Sequence, residues 1–412
     1  MTDQDIANLT RRVARIEAAL AKPILPAIDP PEPPQPPDPP EPPDPPEPSE
    51  FNALECIDND AIENKLIRLP ALRQSRPPRE DVETLGDIRG GDWQEGQSLL
   101  WSHKSSVVPK GYSQWSSNLH KGTLERRGGS YTWQNIGVAS GLDANQLKWG
   151  TREYNAPDRS FINCDFTEIP QEHGLYVSNS DDTMMHRCTF LRVGSQGAQW
   201  AYRPLPYQQY DADNMPYDHE PEHEVSDCHF VDCAHGGTRP SYNLTYFSPG
   251  TSEQPGTLNI RNSSFVCEWT QPRQDGKRST GALVVTPSQG NLPLHGQNMM
   301  RAVWVKNSLF DFTKGDRPMI SLRSVDEIVF EDCAFIARDH AQPWIQIDKE
   351  SDGNLGGTKT KIIRFKNCRS RGVILRVLLG ADSQGKQTAV THEIDCPGSE
   401  IAISGLTGLP LF

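Results

Sequence analysis

Apolar and polar residues alternate in short stretches along this chain, and one such stretch recurs. Its pattern is Φ-x-Φ-x-[Asn/Asp]-[Cys/Ser]-x-Phe, in which Φ is apolar. Alternation over six to eight residues is typical of a β-strand rather than a helix. Cys164 and Cys188 are 24 residues apart, and Ser308 and Cys333 are 25 apart, which indicates a repeated unit of about that length. The copies span residues 160–166, 185–190, 225–230, 260–265, 305–310, 330–335 and 365–370, with a degenerate copy at 133–138.

A second apolar stretch follows most copies of this pattern after a short interval. These stretches lie at residues 174–177, 198–201, 244–247, 283–285, 320–322 and 344–347. Two or three strands per unit, without a helical pattern, predict an all-β parallel β-helix whose coils stack at roughly 4.8 Å. In such a coil the recurring Phe forms an internal stack, and the Cys or Ser packs inside. The Asn or Asp before it falls on the opposite side and suits a corner.

The pattern resembles the right-handed parallel β-helix proteins, the group that contains pectate lyases and many phage tailspikes. The resemblance covers about residues 120–380. It implies a single-stranded right-handed solenoid. It says little about function, because lyases, hydrolases and adhesins share this scaffold.

Composition limits the remaining possibilities. The chain has 412 residues, 35% of them hydrophobic, and a net charge of −13, which allows a large core with appendages. No stretch approaches the ~18 apolar residues of a membrane span, and no signal sequence is recognisable at the N-terminus. We therefore predict no membrane insertion and no general secretion, and also no cofactor and no nucleic-acid partner.

Cysteine usage points to packing rather than to disulfides or metal. Five of the nine cysteines share one column of the repeat, where stacked thiols cannot easily reach disulfide geometry. We predict that they are buried and reduced, and we predict no metal site because the chain has no CxxC pair. The five are Cys164, Cys188, Cys228, Cys333 and Cys368.

Residues 1–22 predict a short amphipathic helix that needs partners, because three heptads are marginally stable alone. Its apolar residues fall on heptad positions a and d, and its Arg and Glu resemble the signature of short trimeric coiled coils. Two interpretations stay open: a homotrimeric coiled coil, or one helix docked on another protein such as a capsid or tail protein. The predicted contact residues are Ile6, Leu9, Arg12, Val13, Ile16, Glu17 and Leu20.

Residues 23–50 form a proline-rich acidic linker. Residues 30–47 repeat Pro-Pro-acid or Pro-Pro-Gln, and a period of three without glycine favours polyproline II over collagen. At about 3.1 Å per residue this stretch spans roughly 55 Å. Seven acids and no base lie between Asp29 and Glu50, so charge repulsion also extends the linker. A disordered tether is the alternative.

The flanks of the repeat are expected to close the solenoid. Residues 51–130 lack the repeat and predict an irregular N-terminal cap, because an open solenoid end must be covered. Residues 131–380 are the predicted β-helix. Residues 381–412 are the predicted C-terminal cap, although their apolar end could instead contact a neighbouring chain.

Aromatic residues after two of the repeats predict a carbohydrate site. Aligning Gly150, Gly174 and Ala198 at a spacing of 24 places Arg152, Tyr176 and Trp200 in one column, which faces outward if the intervening apolar residues face inward. The opposite orientation, with Tyr176 and Trp200 in the core, stays open.

An insertion after Trp200 mixes tyrosines with acids and amides, which suits sugars, although it could be a solvated loop. The predicted binding residues are Arg152, Tyr176, Trp200, Tyr202, Tyr207, Tyr210, Asp213 and Tyr217. A second insertion, from Gln271 to Gln297, carries less chemistry.

Acidic residues are too many to select a catalytic pair. Glycoside hydrolysis needs two carboxyls about 5 Å or about 6.5–9.5 Å apart, which residues such as Glu168 and Asp232 could provide. Glu172-His173 and Asp181-Asp182 are further candidates. The acidic calcium cluster with a base, which a pectate-lyase-like site needs, is missing. We therefore name no catalytic residue and favour a protein that is not an enzyme.

The order of the parts resembles that of phage tailspikes, head spikes and other fibres, including those of phage-like gene transfer particles. A helix comes first, then a stiff spacer, then a β-helix head. The resemblance implies a virion surface protein that binds host surface polysaccharide, is made in the host cytoplasm and is released by lysis. A spike that also cleaves its glycan, by lysis or hydrolysis, and a decoration protein without ligand stay open.

Overall fold

Three sheets contain all the strands of the described residues, and each coil of the chain contributes to the sheets in turn. The computed structural model describes residues 51–55, 83–84, 99–101, 113–114, 124–127, 131–134, 136–139, 151–154, 158–162, 164–169, 173–178, 182–201, 219–231, 233, 241–247, 250, 254–267, 280–287, 298–312, 318–337, 345–348, 360–371, 375–380, 390–397, 399 and 401–405.

Sheet A has ten strands, in the order β1-β2-β6-β9-β12-β15-β18-β21-β24-β27. Their bounds are β1 Glu83–Thr84, β2 Leu99–Trp101, β6 Ile136–Ala139, β9 Asp165–Ile169, β12 Thr189–Val193, β15 His229–Val231, β18 Ser264–Cys267, β21 Leu309–Phe312, β24 Ala334–Ala337 and β27 Arg369–Arg371.

Sheet B has eleven strands, in the order β3-β4-β7-β10-β13-β16-β19-β22-β25-β28-β30. Their bounds are β3 Ser113–Gln114, β4 Leu124–Arg127, β7 Thr151–Tyr154, β10 Leu175–Ser178, β13 Ala198–Ala201, β16 Ser241–Phe247, β19 Thr280–Thr286, β22 Ile320–Leu322, β25 Ile345–Ile347, β28 Leu375–Leu379 and β30 Ile401–Gly405.

Sheet C has nine strands, in the order β29-β26-β23-β20-β17-β14-β11-β8-β5. Their bounds are β5 Tyr131–Gln134, β8 Asp158–Ile162, β11 Asp182–His186, β14 Glu222–Ser226, β17 Gly256–Arg261, β20 Met300–Lys306, β23 Val325–Glu331, β26 Ile362–Lys366 and β29 Thr391–Asp395.

The chain runs from sheet C to sheet A to sheet B and then begins the next coil. All pairings are parallel except that of β3 with β4. This topology is consistent with a parallel β-helix and confirms the all-β fold class. Strands before residue 131 and after residue 380 belong to the same sheets. The helix predicted at 1–22 and the linker at 23–50 lie outside the described residues. Within the described part of the chain, no helix is long and apolar enough to cross a membrane.

The recurring pattern is divided between two sheets by its Asn or Asp. This residue is the corner between sheets C and A, and its φ of 44–53° is left-handed, a conformation that Asn and Asp tolerate better than most residues. Its backbone N–H donates to the next coil; for example, Asn307 N–H donates to Glu331 O at 2.9 Å. Arg187 takes the same φ in a coil whose corner is neither Asn nor Asp, and the other corner residues with this φ are Asp227, Asn262, Asn307, Asp332 and Asn367.

The small residue after the corner is buried in every described coil. Its side chain donates to the carbonyl two residues earlier, as Ser308 Oγ does to Lys306 O at 2.9 Å and Cys333 Sγ does to Glu331 O at 3.3 Å. Small size and this bond suit Cys and Ser equally, which explains why either residue occurs in the column. The described cysteines are all buried and form no disulfide, which confirms the prediction that those of the repeat are buried and reduced.

The Phe that ends the pattern forms a continuous internal stack. Neighbouring rings lie nearly parallel, within 9°, with centroids between 4.7 Å and 5.2 Å apart. The expectation of an aromatic stack is therefore confirmed. Its six rings belong to Phe166, Phe190, Phe230, Phe265, Phe310 and Phe335.

Residues 51–55 lie against the outer face of sheet A, far from the N-terminal end that residues 51–130 were expected to cover. The Asn307 side chain holds this segment by two bonds, accepting from Ala53 N–H at 2.8 Å and donating to Phe51 O at 2.6 Å. The Phe51 ring meets His229 edge-on at 6.0 Å. Ala53 is buried with Val266, Leu309, Ala334 and Ile336.

Candidate functional site

The structure corrects the predicted orientation of Trp200. Leu175 pairs with Ala198, so this coil has 23 residues rather than 24, and Trp200 aligns with Val177 instead of Tyr176. Trp200 points into the core and is only 4% exposed. Its ring packs against Phe161 at 5.9 Å and Tyr246 at 6.2 Å. It cannot serve as an exposed stacking ring.

Tyr176 lies on the outer side of sheet B, in one row with Arg152 and Gln199. The predicted adjacency of Tyr176 and Arg152 is therefore present in the backbone. The Tyr176 side chain is nevertheless buried, and the His173 ring stacks on it at 5.8 Å. The structure thus brings together two of the eight predicted residues and buries one of them.

The other predicted sites lie outside the described residues. These are the carbohydrate residues Tyr202, Tyr207, Tyr210, Asp213 and Tyr217, the helix residues Ile6, Leu9, Arg12, Val13, Ile16, Glu17 and Leu20, and the acids Glu172, Asp181 and Asp232.

Asp182 has a structural task that the sequence did not reveal. Its Oδ1 lies 3.0 Å from His219 Nε2 and accepts the Glu222 backbone N–H at 2.9 Å, which ties β11 to the start of β14. Burial raises the pKa of Asp182, but these hydrogen bonds outweigh burial and leave the pKa below its ordinary value. No cluster of three or more His, Cys, Asp or Glu able to hold a metal occurs in the described part of the chain.

A different aromatic residue is exposed, on the outer face of sheet C. Val303 and Val305 point into the core, so Trp304 between them points outward and is 40% exposed. It stands in one row with Asn259 of β17 and Val329 of β23. Its Nε1–H donates to Glu327 Oε2 at 3.4 Å, which holds the ring against the sheet.

Ion pairs between neighbouring strands surround this ring. Arg261 pairs with Glu224 at 2.5 Å, and Lys306 pairs with Glu331 at 2.6 Å. The hydrogen bond to Glu331 raises the pKa of Lys306, so the ammonium stays charged at neutral pH. We call this surface the Trp304 face, and it consists of Glu224, Asn259, Arg261, Trp304, Lys306, Glu327, Val329, Glu331 and Arg364.

On the far side of the ring, Arg364 joins two acids. Its Nε lies 2.7 Å from Glu393 Oε2, and its Nη1 pairs with Glu327, the acceptor of the Trp304 bond. The acid that orients the ring is thus itself held in place. An exposed aromatic ring on the outer face of a sheet, bordered by donors and acceptors, is suited to a sugar, whose C–H face stacks while its hydroxyls form hydrogen bonds.

Trp304 could have been found from the sequence. It occupies the polar position between the two apolar positions of the repeat, where other copies have Glu224, Asn259 or Arg364. A large aromatic residue at that position is expected to face solvent. Trp200 lies outside the repeated pattern, so no comparable signal fixed its orientation.

Comparison with known proteins finds no relative of this chain. The chain matches no protein-family model, no curated protein and no solved structure.

Proposed function

We propose that this chain is a spike or fibre protein of a phage or phage-like particle and that its head binds host surface polysaccharide through the Trp304 face. The observation that carries the binding proposal is the exposed Trp304 ring among charged and polar side chains on the outer face of sheet C. Such rings commonly dominate the affinity of a site, because they bury a large area at low entropic cost.

The order of the parts supports the particle assignment. The heptad helix at 1–22 would join three chains or attach the protein to a capsid or tail protein, and the acidic proline-rich linker would hold the head away from the particle. A right-handed coil is part of this proposal, because crossover connections between parallel strands are right-handed in about 98% of cases.

The test compares two exposed apolar side chains of the full-length protein. Trp304→Ala removes the proposed stacking ring, while Ile394→Ala removes the other large apolar residue that is exposed in the described part of the chain. Both proteins are applied to an array of bacterial surface polysaccharides and to host cells. We expect Trp304→Ala to lose roughly 10–100-fold in affinity and Ile394→Ala to bind normally.

Each alternative has its own outcome. Undiminished binding by Trp304→Ala would contradict the Trp304 face as the site. Failure of the wild-type protein to bind any glycan or cell would favour a decoration protein. Release of reducing ends or unsaturated sugars from a bound glycan would favour a cleaving spike. An unchanged melting temperature for Trp304→Ala is the control, because this side chain projects from the outer face of sheet C.

A further inference from the structure

Four ion pairs on or beside the outer face of sheet C are asymmetric in their exposure, while Arg364 is the exception, because it is 25% exposed against 29% for Glu327 and 58% for Glu393. In the pair of Arg261 and Glu224 the base is 57% exposed and the acid 24%. In the pair of Lys306 and Glu331 the base is 60% exposed and the acid 35%. In each pair the acid lies closer to the sheet and the cation projects into solvent.

The same arrangement continues above and below the Trp304 face. Arg301 pairs with Glu220 and Lys361 pairs with Asp326, and in both pairs the base is the more exposed partner. Strands are about 4.8 Å apart and rise about 3.3 Å per residue, so the backbone positions of these cations lie on the order of 10–15 Å from that of Trp304. The chain as a whole has a net charge of −13, so a face that presents cations differs from the average surface.

Each cation keeps donors for a further partner. A guanidinium has five N–H donors and an ammonium has three. The ion pair of Arg261 is made by its Nη2, and that of Lys306 by one Nζ contact. Arg261 and Lys306 are direct neighbours on β17 and β20, so their free donors lie side by side, one row away from the Trp304 ring.

We propose that the Trp304 face selects anionic glycans, whose sugars carry carboxylate or sulfate groups. This inference rests on the proposed function. Trp304 stacks on the sugar ring, and Arg261 and Lys306 bind the anionic substituent. Because a protein of net negative charge repels an anionic polymer elsewhere on its surface, the cations also direct the polymer to this face.

The test uses the full-length protein and glycans in matched pairs. The probes are polygalacturonate, hyaluronan and polysialic acid, each beside its carboxyl-reduced form. We expect tighter binding of the carboxylated member, and a loss of this preference as NaCl rises from about 50 to about 500 mM, where screening is strong. Heparin and its desulfated form separate sulfate from carboxylate as the recognised anion.

Substitutions assign the effect to residues. Arg261→Gln and Lys306→Gln should each lower affinity for the carboxylated probe by roughly 2–5-fold, the range of an exposed charge pair, and lower affinity for the reduced probe by less. Arg376→Gln is the matched control, because Arg376 is an exposed arginine of sheet B. Equal affinity for the members of every pair, or no effect of either substitution, would overturn the inference.

The failure of this inference differs from the failure of the proposed function. If Trp304→Ala weakens binding of charged and neutral probes alike, and the two cations have no effect, the glycan site stands and its anionic selectivity is wrong. If Trp304→Ala affects no probe, both fail. Binding of a synthetic Pro-Pro-Glu repeat peptide and of no glycan would also overturn both, since the face would then be a site for acidic proline-rich protein.

Discussion

Phe230 allows the sharpest test of the coil arrangement, because it lies in the middle of the aromatic stack. Its side chain is fully buried, with Phe190 stacked at 4.7 Å on one side and Phe265 at 4.9 Å on the other. Phe230→Ala removes the ring and leaves a cavity between two rings that cannot close, because each belongs to a different coil.

The expected cost follows from these contacts. Phe→Ala in a core costs about 3–5 kcal/mol, and a stacked aromatic pair contributes about 0.5–1.5 kcal/mol beyond the area that it buries. Since Phe230 loses two such pairs, we expect a loss at the upper end, about 4–5 kcal/mol in the free energy of unfolding. Phe166 stacks on Phe190 at the end of the described stack, so Phe166→Ala should cost about 1 kcal/mol less.

The assay is urea unfolding followed by circular dichroism, with hydrogen exchange to locate the effect. Solenoids can unfold in parts, so exchange in β12, β15 and β18 reports the loss where it occurs. A loss below about 1 kcal/mol would refute the stack as a source of stability. Equal losses in the Phe230 and Phe166 variants would refute the ring-pair contribution in particular.

Three further predictions concern other buried groups. Trp200→Ala should cost about 3–5 kcal/mol in the free energy of unfolding, in contrast to Trp304→Ala, and an intact melt would contradict its core position. Burial raises the pKa of Asp348 to about 6 from 3.8, against the lowering by the backbone N–H groups of Thr360 and Ser324. Because the folded state favours the protonated carboxyl, the contribution of Asp348 to stability should be fully present below about pH 4 and fall by about 3 kcal/mol as pH rises to above about 6. Asp348→Asn should remove this fall in the free energy of unfolding, measured by urea titration at several pH values. The same pH dependence in the variant would contradict the raised pKa of Asp348. In the native protein, iodoacetamide should leave the buried thiols of the described cysteines unmodified until urea is added, and rapid labelling detected by mass spectrometry would contradict their burial.

The repeated pattern predicted the core well, because it records the same environment many times. Phe230, Cys228 and Val225 each occupy a position that recurs in other coils, so their orientation follows from comparison along the chain itself. The corner role of Asn and Asp also followed from the chemistry of those residues. What the prediction left out is that the corner separates two sheets, although the interval of three residues between the buried Val225 and Cys228 interrupts the alternation there.

The orientation of sheet B was harder to predict, because its strands carry no recurring residue. A spacing of 24 was assumed there, and one residue fewer between Leu175 and Ala198 moved Trp200 to the opposite side of the sheet. Side chains alternate with a period of two, so an error of one residue reverses the side completely. Only the pairing of the backbones could show this.

The docking of residues 51–55 could not be predicted at all. Ala53 and Asn307 are 254 residues apart, and their contact depends on one side-chain amide that bonds backbone groups. Bonds to backbone groups require no particular side chain in residues 51–55, so the sequence of this segment does not indicate them. Ala53 is apolar, but its small size does not single it out. Long-range contacts of this kind follow from the folded shape of sheet A rather than from a local pattern.

The corner between sheets C and A bears on how such a chain can be recombined. Seven successive coils cross it with two residues, whereas the return from sheet B to sheet C takes two residues after β22 and the whole of 202–221 after β13. A foreign loop can therefore be grafted at the return, but an insertion at the constant corner would displace the left-handed residue and the small buried residue together. Cutting at this corner would divide the head into interchangeable cassettes, each of which carries one ring of the stack and its own surface loops. Exchange of whole coils could then alter what the head binds while the joint between coils stays the same.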